Sequence, residues 1–140
     1  MANPGPASTT TSHPTNLATN QALRLIASAQ GVNLNLVADT VAPIFAAGDV
    51  SVQSIIVTNA SISLTTAQLA VYTGPGATGT AVKSAYALSG NTSSATVVVT
   101  AATSTDAITS GNLYIRNTTV QGAAATADVF IYGYDLNFLP

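Results

Sequence analysis

The sequence predicts an all-β protein: an antiparallel β-sandwich, jelly-roll-like in topology, behind an extended N-terminal arm. Three observations lead there. Apolar and β-branched residues recur with a period of two in roughly eight short runs. Gly, Asn, Pro and Thr punctuate those runs at short intervals, and only Gln21–Gln30 offers a stretch that reads as a helix. Short strands separated by turn residues, with no sustained helical period, are the pattern of two antiparallel sheets packed face to face.

Residues 1–21 form the arm. Pro4, Pro6 and Pro14 lie among Ser, Thr and Asn, a composition that cannot bury enough apolar surface to build a core. An arm of this kind is expected to lie on a partner, with Asn3, Pro4, Pro6, His13, Pro14 and Leu17 as its contacts. At about 3.3 Å per extended residue, twenty residues span roughly 65 Å. The arm has no basic start and no apolar stretch of about 7–15 residues, so it does not read as a secretory signal.

Residues 22–140 form the sandwich domain. Gln21–Gln30 is ambiguous: Asn20 or Thr19 could cap a helix there, yet Leu23-Arg24-Leu25-Ile26 reads almost as well as a strand. Val32-Asn33-Leu34-Asn35-Leu36 alternates, placing Val32, Leu34 and Leu36 on one face. The further strands are Val41–Phe45, Val50–Thr58, Leu69–Thr73, Thr80–Leu88, Ala95–Thr100, Asn112–Asn117 and Ala127–Leu136. A shift that brings Ile55–Asn59 onto Leu113–Asn117 also brings Val71-Tyr72 onto Val129-Phe130, an echo that duplication and shared hairpin geometry explain equally well. In the last strand Val129 and Ile131 share one face while Phe130, Tyr132 and Tyr134 share the other. A two-layer sandwich covers only one of these faces, which makes the aromatic one a candidate subunit interface.

Composition narrows function further. Hydrophobic residues make up 47 % of the chain and charged residues only 6 %, with no Cys, no Trp and one His. An ordinary soluble domain is about 25 % charged. The charges are Arg24, Lys83, Arg116, Asp39, Asp49, Asp106, Asp128 and Asp135, too sparse for most acid–base, metal or phosphate chemistry. Three cations cannot follow a phosphate backbone, so neither nucleic acid nor an anionic membrane surface is an expected partner. The longest apolar runs, Ile55-Ile56-Val57 and Val97-Val98-Val99, fall far short of the roughly 18–20 residues that span a bilayer. With a net charge of −2, little repulsion keeps copies apart, and a homo-oligomer is expected.

No motif of catalysis stands out. His13 has no acidic or Cys neighbour at ligand spacing, and the Asp residues sit at strand ends, where they ordinarily accept hydrogen bonds from turn amides. Gly74-Pro75-Gly76-Ala77-Thr78-Gly79 lacks a following Lys-Ser/Thr and reads as a turn rather than a phosphate loop. The triplets at Asn59, Asn91 and Asn117 match the glycosylation pattern but read as turns and strand ends. Arg116 is expected to pair with Asp128 across the last hairpin. No catalytic residue, metal or cofactor is expected.

The stretches Asn59–Gln68 (NASISLTTAQ), Val71–Gly74 (VYTG) and Gln121–Leu136 (QGAAATADVFIYGYDL) resemble a pattern in small virion proteins of tailed bacteriophages, over residues 38–136. The resemblance implies a capsid decoration, or cement, protein: a β-sandwich, often trimeric, made in the host bacterial cytoplasm. It would sit on the outside of the head and brace contacts between major capsid proteins. Two other readings stay open. One is a tail, neck or fibre-base component. The other is a carbohydrate-binding or adhesin module using Tyr72, Tyr86 or Tyr114 as a stacking platform.

Overall fold

The computed structural model describes residues 23–109 and 111–136, so the arm contacts expected at Asn3, Pro4, Pro6, His13, Pro14 and Leu17 lie outside the described residues. Eight strands follow one another: β1 (Arg24–Asn33), β2 (Asp39–Pro43), β3 (Val50–Thr58), β4 (Gln68–Gly74), β5 (Thr78–Ala87), β6 (Val98–Ala101), β7 (Asn112–Thr119) and β8 (Thr126–Asp135). They form two antiparallel four-stranded sheets. Sheet I has the order β1-β8-β3-β6 and sheet II the order β2-β7-β4-β5. Nested pairing underlies both orders: β1 pairs with β8, β2 with β7, β3 with β6 and β4 with β5. The contacts β3·β8 and β4·β7 then join the pairs into sheets.

Period-two burial follows from this layering, because one face of each sheet meets the other sheet. Ile26, Val52, Ile55 and Ile131 of sheet I pack with Leu69, Val71, Leu113 and Ile115 of sheet II, all 1 % exposed or less. Each such side chain contributes about 1.5–3 kcal/mol when taken from water. A continuous apolar core of this kind holds the sandwich without disulfides.

The ambiguous segment is a strand from Arg24 onward. Ile26, Ala27 and Ala29 are buried beside β8, and register shifts between Leu25 and Ala27 and between Ala29 and Val32 accommodate a run that does not strictly alternate. Cross-strand burial overrides the local helical reading. The alternating run Val32–Leu36 also needs correction. Val32 and Leu34 are buried, but Leu36 is 58 % exposed. Leu34 N–H donates to Ala125 O and Gln121 N–H to Leu34 O, while the Asn117 side chain donates to Leu36 O. Those bonds turn the chain away from sheet I towards β2, and Leu36 is carried outwards.

The two segments of the internal echo are not hairpins. β3 and β8 belong to sheet I while β4 and β7 belong to sheet II, so the links β3–β4 and β7–β8 cross between sheets. The matched asparagines also differ. Asn59 is exposed at φ 54°, a turn conformation that Asn tolerates, whereas Asn117 is fully buried in β7.

Gly133 marks the closest approach within sheet I. It lies in β8 opposite Val52, where β3 bulges between Val52 and Ser54. A Cβ at this position would stand 2.9 Å from Val52 Cα and nearer still to the Ser51 carbonyl oxygen. Only glycine lets the backbones come together there.

Candidate functional site

The outer face of sheet I gathers the aromatics of β8. Val129 and Ile131 are buried in the core, Phe130 and Tyr132 are half-buried and Tyr134 is exposed. Register places their neighbours: Ser28, Phe130, Ile56 and Val99 form one row across β1, β8, β3 and β6, and Leu25, Tyr132, Ser54 and Ala101 form the next. Val99 is 63 % exposed and Val97, just before β6, is 53 % exposed. An apolar stripe therefore crosses the sheet from its centre to the β6 edge.

Charge on this face is confined to one end. There Asp128 accepts hydrogen bonds from Gly31 N–H at 2.8 Å and Asn59 Nδ2 at 2.9 Å. Beyond the other end, Arg24 Nη1 and Asp135 Oδ2 form an ion pair at 3.0 Å on the inward-facing positions, Arg24 opposing Gly133 and Asp135 opposing the buried Val50. The Phe130 and Tyr132 rows carry only apolar, aromatic and hydroxyl side chains. Ile56 and Val99 belong to this face but were not singled out with the aromatics. Their signal was present in the runs Ile55-Ile56-Val57 and Val97-Val98-Val99, which do not alternate and so supply apolar side chains to both faces.

Arg116 does not pair with Asp128. Its Nη1 meets Asp39 Oδ1 at 2.9 Å, directly across the β2·β7 register, and Asp39 also accepts the Gly76 N–H at 2.5 Å. The physical reason is the sheet crossing after β7. Arg116 lies on the outer face of sheet II and Asp128 on the outer face of sheet I, with the core between them.

The outer face of sheet II carries a second aromatic row. Tyr114 of β7 stands opposite both Val41 of β2 and Tyr72 of β4, with Arg116 and Asp39 beside them. Tyr86 does not belong to this platform. It packs against the core, its hydroxyl makes no hydrogen bond among the described residues, and burial pushes its ionisation well above the ordinary tyrosine value. Lys83 Nζ lies 5.6 Å from its ring centroid. Of the three glycosylation-like triplets, those at Asn91 and Asn117 have fully buried asparagines, which no glycan could reach.

Among the described residues no three His, Cys, Asp or Glu side chains gather in one place. The depression lined by Thr73, Thr80, Val82, Ser104, Asp106 and Ile108 holds a single carboxylate. What the arrangement offers chemically is surface: one apolar, nearly uncharged sheet face and one smaller tyrosine row. No known protein family matches the chain, and no curated protein matches it.

Proposed function

We propose that this chain is a non-enzymatic structural protein of a tailed-bacteriophage virion, a decoration or cement protein that binds the outside of the head and stabilises contacts between major capsid proteins. The observation that carries the reading is the apolar outer face of sheet I, whose central rows bear no charge. Such a face gains by being covered, and copies of the chain repel one another weakly. In this reading Phe130, Tyr132 and Tyr134 associate subunits into a homo-oligomer, a trimer by the family resemblance. The arm, with Asn3 to Leu17, reaches the major capsid protein.

The same reading takes the nested eight-stranded ribbon as a jelly roll, a frame that recurs in capsid proteins. Its mechanism is linkage. A protein that binds only the mature lattice stabilises that state by RT ln(1 + [L]/Kd), about 2.7 kcal/mol per site when free protein is at a hundredfold Kd. Many such sites on one shell act together.

Co-sedimentation with heads stripped of the protein tests the reading. Saturable binding of the full chain, weakened when residues 2–20 are deleted, supports it; no binding of the full chain rejects it. The Tyr72–Tyr114 row favours a second reading, a glycan-binding module, because adjacent half-buried tyrosines on an outer sheet face can stack on sugar rings. Glycan binding abolished by Tyr114→Ala would select that reading instead.

A further inference from the structure

Four strands form the edges of the two sheets, and three of these edges are protected among the described residues. The β1 edge is crossed by Phe45, whose N–H donates to Ile26 O, and it carries two register shifts. β2 is short and ends at Pro43, which has no N–H to offer. β5 is covered by the chain leaving β6, where Thr103 and Ser104 N–H both donate to Val82 O. Short length, proline, bulges and covering loops are the ordinary means of blunting an edge.

β6 is short, at four residues, but among the described residues it carries no proline, register shift or covering backbone. Ala102 N–H donates to Gln53 O at 2.9 Å, which continues the β3·β6 register and makes Thr100·Ile55 and Val98·Val57 the hydrogen-bonded pairs. Val99 and Ala101 therefore direct their N–H and C=O groups away from β3, and neither meets a backbone partner among the described residues. The run Val97-Val98-Val99-Thr100-Ala101 contains no charge, proline or glycine. An edge like this is a template for another strand.

We propose that β6 is a homotypic pairing site, where the β6 edges of two copies join antiparallel about a two-fold axis and turn two four-stranded sheets into one of eight. A second copy fits because the edge is self-complementary. With Val99 opposite Val99 of the other copy, the outward groups of Val97 meet those of Ala101, and each such pair exchanges N–H···O=C bonds. The side chains brought together are valine and alanine, so no like charges meet. The pairing also makes the apolar stripe through Ile56 and Phe130 continuous from one copy to the next.

Cysteine scanning reads the register directly, because the chain contains no cysteine of its own. Hydrogen-bonded antiparallel partners have Cα atoms about 5.5 Å apart, within the disulfide range. Mild oxidation of the full chain carrying Val99→Cys should therefore give a covalent dimer. Ala101→Cys alone should not, since in this register the two Ala101 sites stand four residues out of step, roughly 13 Å apart. A mixture of Val97→Cys and Ala101→Cys chains should cross-link.

Val99→Lys changes an exposed side chain, leaves the β3 bonds in place and sets two cations face to face. It should weaken dimerisation in sedimentation velocity at least tenfold while the urea midpoint stays within error. A wild-type chain that remains monomeric at every concentration, with the Val99→Cys thiol left reduced, would overturn the proposal. So would equal cross-linking by Ala101→Cys alone. Either result would leave the edge to residues 1–22 or to another protein.

Discussion

Gly133→Ala should be among the most damaging small substitutions in this protein, although it adds only one methyl group. The new Cβ would stand 2.9 Å from both Val52 Cα and Ser51 C, with the Ser51 oxygen closer still. Carbon atoms at rest stand about 3.5–4.0 Å apart, so β3 has to retreat by at least roughly 0.6–1 Å. The obstructing atoms are backbone, and no rotamer change relieves them. Retreat at this point also disturbs the central β3·β8 pairing, because Val52 opposes Gly133 in that register. Overpacking costs about 1–3 kcal/mol and occasionally more, and a clash with backbone belongs at the upper end, about 3 kcal/mol. For a chain of this size that corresponds to a Tm lower by roughly 10 °C. Urea unfolding followed by tyrosine fluorescence and far-UV circular dichroism measures it. Gly111→Ala is the control, since nothing lies within 4 Å of its Cβ and its φ is not positive. It should be neutral or stabilising by up to about 1 kcal/mol. A Gly133→Ala protein within about 1 kcal/mol of wild type would refute the close approach of β3 and β8.

Ile131→Ala removes a fully buried side chain from the middle of sheet I and should cost about 2–5 kcal/mol in the same assay. A double-mutant cycle between Arg116→Met and Asp39→Asn should give a coupling of about 1 kcal/mol, the pair being partly exposed. The cycle between Arg116 and Asp128 should give none, and the reverse pattern would restore the hairpin pairing. Tyr86→Phe should be neutral or stabilising by up to about 2 kcal/mol, because the buried hydroxyl it removes makes no hydrogen bond. The same variant tests a pH effect with a definite sign. Burial raises the folded-state ionisation of Tyr86 above its unfolded value of about 10, so the unfolded chain loses that proton first. Stability should fall as pH rises above about 10, and less so in Tyr86→Phe, as guanidinium unfolding at pH 9 and 11 would report. Deleting residues 2–20 should leave the unfolding midpoint of the domain unchanged; an unfolded truncation would place the arm in the core.

The β-branched and apolar runs bounded by turn residues were the legible part of this fold. Val50–Thr58 has the bounds expected for it, and Asn112–Thr119 and Thr126–Asp135 lie within about two residues of theirs. The two faces of β8 divide as expected, with Val129 and Ile131 inward. β1 was less legible because Leu23-Arg24-Leu25-Ile26 carries two periods at once, and pairing with β8 decides between them. Connectivity was illegible for a physical reason: a short link between two strands is compatible with a hairpin or with a crossing between layers. Taking Thr118–Ala127 as a hairpin loop put Arg116 beside Asp128, whereas the crossing puts Asp39 there instead. Burial of Tyr86 was hidden similarly, because register shifts in the β4·β5 pairing break the simple alternation of β5.

The place proposed for this protein in a viral shell is tested most directly by copy number. Quantitative mass spectrometry of purified particles should find it in hundreds of copies, at a simple ratio to the major capsid protein. About a dozen copies would move it to the tail, neck or fibre base, and absence from particles would contradict the virion reading altogether.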